Sequence, residues 1–168
     1  PDLVTSMVEP HEFLDFMSGK LSRLYVQGEK DLHKRLQELD KKADPDGRYR
    51  INDFFCRDTS WQATMRRLAT ESDVILMDIR SFSPQNSGCV YELEQLLNIA
   101  DLSRTVFLVD EMSDRNFLEQ TLSDLWEMVP PNSPNLNIQT PTVSLFSPQG
   151  DISHSLPGLL HLLLSKCN

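Results

Sequence analysis

The chain has 168 residues, 39% hydrophobic and 24% charged, which is long enough to bury a core of its own and fits a soluble globular protein. Sixteen basic residues against 25 acidic ones give a formal net charge of −9, which argues against non-specific binding to nucleic acid or to an anionic membrane surface. Cys56, Cys89 and Cys167 are far apart and form no CxxC or Cys/His cluster, so a disulfide framework, a structural zinc and any other metal site are not expected, and a reducing, cytoplasmic setting is.

In chain order, residues 1–20 read as a lead-in segment, with Val8, Phe13, Leu14 and Met17 able to form a short helix after Pro10. Residues 21–168 read as one α/β domain. Leu24, Tyr25 and Val26 make a short β-prone run ending at Gly28. Residues 31–42 carry Leu32, Leu36 and Leu39 on one helical stripe. Asp44, Pro45, Asp46 and Gly47 form a turn, and residues 49–55 alternate enough for a second strand. Thr59 or Ser60 can cap a helix with Trp61, Met65 and Leu68 on one face.

Residues 73–79 form the clearest strand, an apolar run of the kind buried on both faces of a parallel sheet. A helix over 87–100 turns Val90, Leu93, Leu97 and Ala100 inward. A strand over 105–109 follows, then a helix over 114–129 that Pro130 and Pro131 terminate. After a loop rich in Pro and Asn come a fifth strand at 142–146 and a closing helix at 155–166, with Pro157 near its start. No window reaches the roughly 18 apolar residues of a membrane span. The first residue is Pro1 rather than Met, which reads as a piece of a longer and potentially membrane-anchored protein.

Five strands alternating with five helices predict a three-layer α/β/α sandwich with a five-stranded parallel sheet of flavodoxin-like order 2-1-3-4-5. Residues 74–79 are expected at its centre, 106–109 beside them and 142–146 at or near an edge. In such sheets ligands sit beyond the carboxyl ends of the strands, at the switch point. That rule selects the loops after Val26, Ile79 and Val109. It predicts a ligand cleft bounded by Gln27, Gly28, Arg80, Ser81, Ser83, Ser87 and Glu92.

The loop and helix from Ser83 carry a motif: Ser83, Pro84, Ser87, Cys89, Glu92 and Leu93. It resembles the third-strand loop and helix of Toll/interleukin-1 receptor (TIR) domains. The run from Trp61 through Met65 and Leu68 to Ser72, Asp73, Val74 and Ile75 resembles the same family's helix and strand, so the likeness covers about residues 61–97. The same loop is similar, more weakly, to that of nucleoside deoxyribosyltransferases, which carry a glutamate on the corresponding helix. Both resemblances imply chemistry at an N-glycosidic bond and a nucleotide ligand such as NAD.

Two readings follow. The first is a TIR-like signalling or nucleotide-sensing module that binds a protein partner or a second copy of itself. The alternative is an enzyme that cleaves the N-glycosidic bond of NAD or a nucleoside through Glu92, whose carboxylate can stabilise or attack an oxocarbenium-like centre. Gly88 stands where the TIR family has tryptophan, a departure from the pattern, and the first strand lacks the family's aspartate-led signature, which favours the module. The Ser87, Cys89 and Glu92 frame favours the enzyme. Glu92 can equally be an ordinary solvated helical glutamate.

Other groups carry less. Asp78 ends its strand as the phosphoacceptor of response-regulator receivers does, but the acidic pair after strand one and a Lys-Pro after strand five are missing. Asp110 and Glu111 reach the cleft edge, where they can bind ribose hydroxyls, hold a metal or stay solvated. His154 and His161 have no acid or thiol at ligand spacing.

Overall fold

The computed structural model describes residues 24–49, 51–150 and 152–167. The expected lead-in segment 1–20 and its short helix lie outside the described residues. The chain divides into two compact units between Thr64 and Met65.

In the first unit, helix α1 spans Glu29–Gln37 and starts at Gly28, whose φ of 138° lies in a region L side chains rarely adopt. Asp31 accepts from the Gln27 amide at 3.0 Å and from Arg35 Nε at 3.0 Å, one turn along, and Leu32 is buried. The helix stops short of the expected Lys42. Beyond Glu38 the backbone bonds across the chain instead, with the Asp40 amide on Asn52 Oδ1 and Asn52 Nδ2 on the Asp40 carbonyl. Asp44 to Gly47 form the expected turn, with Gly47 at φ 81°.

Among the described residues neither of the first two expected strands forms. Tyr25 and Phe55 share one isolated parallel bridge, closed by the Val26 amide on the Phe55 carbonyl at 2.8 Å, while Tyr49 pairs antiparallel with Ala43. Tyr49 and Ile51 are 70% and 83% exposed. Without apolar cover on a face, a run with β propensity has nothing to hold it in a sheet.

Helix α2, Trp61–Glu71, begins in the first unit and ends in the second. The second unit continues with β1 (Ile75–Asp78), α3 (Ser87–Ile99), a 3-10 turn (Leu102–Arg104), β2 (Thr105–Leu108), α4 (Arg115–Glu127), β3 (Ser144–Phe146) and α5 (Ile152–Leu164). The strands form a three-stranded parallel sheet of order β1-β2-β3, with Met77 opposite Phe107 and Phe107 opposite Leu145. This corrects the five-stranded sheet of order 2-1-3-4-5. It also moves the centre: β2 is central and buried at all four positions, whereas β1, expected at the middle, lies at an edge of this sheet with Leu76 41% exposed. β3 takes the edge position expected of it.

One core fills the second unit. Met77, Ile79, Phe82, Leu93, Leu97, Phe107, Val109, Leu118 and Leu125 are all buried in it, and α3 packs against α4. Two polar clamps fix the ends of α2 and α3. The Arg104 guanidinium donates to the carbonyls of Ala69 and Ser72, closing the end of α2 where β1 begins. Asn135, fully buried, donates from Nδ2 to the carbonyls of Leu97 (2.8 Å) and Ala100 (2.7 Å) and accepts the Leu102 amide at 3.1 Å. Asp114 caps α4 by accepting the Phe117 amide at 3.0 Å. Helix α5 begins three residues before the expected start, which leaves Pro157 inside it. Among the described residues no helix is long and apolar enough to cross a membrane.

Candidate functional site

The carboxyl ends of β1 and β2 bring Asp78, Arg80, Ser81, Asp110 and Ser113 together, because parallel strands deliver their following loops to one end of the sheet. Asp78 is the last residue of β1. Arg80 forks onto it, with Nε 2.9 Å from Oδ1 and Nη2 2.5 Å from Oδ2, and the Arg80 amide also reaches Oδ1 at 3.1 Å. The Arg80 hydrogen bonds hold the Asp78 carboxyl below its ordinary pKa, and burial and the Asp110 charge oppose this. Both side chains are nearly half exposed.

Ser81 follows with φ 59°. Its amide donates to Asp110 Oδ1 at 2.8 Å, and its hydroxyl lies 3.4 Å from Oδ2. The Ser113 hydroxyl lies 2.8 Å from Asp110 Oδ1 and 3.1 Å from the Ile79 carbonyl, and it accepts the Asp110 amide at 3.2 Å. Burial pushes the Asp110 carboxyl up, but the hydrogen bonds from Ser81, Ser113 and Met112 together outweigh it and the net shift is downward. Ser83 donates from both amide and hydroxyl to Asn86 Oδ1, at 2.9 and 2.7 Å. Asn86 precedes α3, but its side chain makes no capping bond to the helix. Ser87 opens α3, as expected, and is exposed.

Glu92 lies in the second turn of α3 and is half-buried. Among the described residues it has no hydrogen-bond or ion-pair partner, and burial alone raises its carboxyl pKa. Cys89, one turn before it, has its thiol raised by burial first and then by the Glu92 and Asp78 carboxylates. The end of β1 and the first turns of α3 therefore share one electrostatic neighbourhood in which Cys89 stays a thiol, ill suited to nucleophilic attack.

Arg80, Ser81, Ser83, Ser87 and Glu92 thus all lie on β1's loop and the helix after it. Gln27 and Gly28 belong to the first unit, where Gln27 Nε2 donates to the Tyr25 carbonyl and Gly28 starts α1. Arg80, Ser81 and Ser83 make hydrogen bonds within the chain, so a ligand meets them as an already ordered loop. Ser113 and Asn135 gave no signal in the sequence, since a serine or asparagine in a loop satisfies turn chemistry alone. Their partners lie 34 to 38 residues away in the cases of Ile79 and Leu97.

At the opposite end of the strands, Asp73, Asp101, Ser103, Arg104, Ser165 and Lys166 line an open depression of about 390 Å³. Among the described residues no group of three or more His, Cys, Asp or Glu side chains is placed to hold a metal. No family model matches the chain, and neither does any curated protein or solved structure.

Proposed function

We propose that this chain is a TIR-like signalling or sensing module that takes a nucleotide, NAD or a nucleoside, at the carboxyl ends of β1 and β2, in a cytoplasmic setting and in association with a protein partner or a second copy. The observation that carries it is Glu92, a half-buried carboxylate without a partner among the described residues. Such a group bears a desolvation cost that a ligand donor relieves, and a ribose hydroxyl is a donor of the right kind. Its neighbourhood with Asp78 and Cys89 supports a site on the loop that carries the TIR-like motif.

The second reading, cleavage of the N-glycosidic bond through Glu92, is favoured by the same carboxyl, because burial raises its pKa and so suits it to giving a proton to the leaving base. The module leads because the first-strand run at 24–26 lacks the aspartate-led signature of the TIR family.

Isothermal titration with NAD and a nucleoside panel, with product chromatography on the same mixtures, tests both. The module predicts saturable heat without product, and a loss of affinity of at least about tenfold in Glu92→Gln, the scale of a charge-assisted hydrogen bond. The enzyme predicts product that Glu92→Ala reduces at least about 10²-fold. No heat and no product from the wild type across the panel would defeat the nucleotide reading.

A further inference from the structure

We infer that Asp110 is the positioning residue of this site: its carboxylate clasps the loop after β1 to the loop after β2 and holds Ser81 in a left-handed conformation. Ser81 is the one non-glycine residue with positive φ among the described residues. A side chain there crowds its own backbone, so the conformation persists only where neighbours fix it. Asp110 supplies that restraint from 29 residues away, accepting the Ser81 amide at 2.8 Å on one oxygen and lying 3.4 Å from its hydroxyl on the other. The carboxylate is itself held, because the buried Ser113 hydroxyl sits 2.8 Å from Oδ1 and 3.1 Å from the Ile79 carbonyl.

The residues on either side of the bend are anchored independently. Ile79 donates its amide to the Leu108 carbonyl at 2.9 Å. Phe82 is buried, stacks on Phe117 of α4 at 5.2 Å between ring centres, and accepts the Asp114 amide at 2.8 Å. Loss of the clasp therefore frees Ser81 while its flanks stay in place, Arg80 among them, since its amide and guanidinium bond Asp78. The freed residue follows directly on Arg80, whose guanidinium is bonded to Asp78, so it lies beside the charged lip of the site. The fixed bend rests on geometry alone; its effect on a ligand rests on the nucleotide reading above.

Amide hydrogen exchange and NAD titration of Asp110→Ala and Asp110→Asn test this. Asp110→Ala should speed exchange of the Ser81 amide at least tenfold and leave the Leu93 and Val106 amides as they are. Asp110→Asn, which keeps an acceptor oxygen, should stay within about threefold of wild type. Ser81→Gly should recover the lost thermal midpoint in the Asp110→Ala background and change it little on its own, because glycine needs no restraint at positive φ. Should Asp110→Ala not fold, Ser113→Ala gives the same direction of change at the Ser81 amide.

NAD affinity should fall at least tenfold in Asp110→Ala and less than threefold in Asp110→Asn. Unchanged Ser81 exchange in Asp110→Ala, or no recovery by Ser81→Gly, overturns the clasp. Unchanged NAD affinity with faster exchange overturns its role in the site. A wild type that binds no NAD overturns the nucleotide reading and with it that role, while exchange and recovery still decide the clasp.

Discussion

A half-buried carboxyl without a partner is destabilising whenever it is ionised, and Glu92, which has none among the described residues, carries that cost. Its folded pKa lies above its unfolded one, so between those values the folded state binds more protons and stability falls as pH rises. Glu92→Gln should therefore raise the thermal midpoint at pH 7, reflecting a stability gain of no more than about 1 kcal/mol, and the gain should vanish on acidification to about pH 4. A gain that does not change from pH 4 to pH 8 contradicts it. Asp78 and Asp110 have the opposite sign: their folded pKa values are lowered, so they stabilise at neutral pH and lose that contribution as pH falls below about 4. Asp110→Asn should accordingly flatten the acid limb of a melting curve taken from pH 5 to pH 2, with Asp78, Arg80, Ser81 and Ser113 the groups that face the change. Glu92 was legible in the sequence because a short motif frames it. Asp110 was legible only as an acid at a strand end, and its grip on Ser81 depends on a bend no local pattern announces.

At the scale of elements, what could be read was what the chain decides locally. The stripe of Leu93 and Leu97 placed α3 almost to the residue, and the apolar run at 105–109 placed β2. The runs at 24–26 and 49–55 have strand-like composition too, but sheet membership needs a neighbour and a covered face. Ile51 has no such cover, and the amide of Asp40 takes the Asn52 side chain. The loop between α4 and β3 shows the converse, since its composition signals only turns yet Asn135 ties it to α3. Asn135→Ala should destabilise the chain by at least about 2 kcal/mol in urea unfolding, because the buried Ala100 carbonyl and Leu102 amide lose this partner and the Leu97 carbonyl is left to the Ser133 hydroxyl. Asn135→Asp should also destabilise, since it removes the donor while keeping the acceptor. A loss under about 0.5 kcal/mol for the alanine variant would mean that water replaces the amide.

For the molecule as a whole, alternation of helices and strands was enough to predict parallel pairing, and the three strands that form obey it. The number of strands was not legible, because a repeating pattern does not say which repeats find cover. The formal charge of −9 acts on the whole fold through self-repulsion. Raising sodium chloride from about 0.05 to 0.5 M should increase the thermal midpoint, as screening shortens the reach of that repulsion from about 14 Å to 4 Å. A midpoint that falls with salt would show that specific ion pairs such as Arg80 with Asp78 outweigh the general field. The Asn135 clamp has a practical corollary for engineering. The stretch 130–141 looks permissive, yet Ser133 and Asn135 both bond the Leu97 carbonyl. A fluorophore site or affinity tag grafted after Gln139 would leave that anchorage intact, whereas the same graft between Pro131 and Asn135 would pull the amide off the helix end and unseat the strand that follows it.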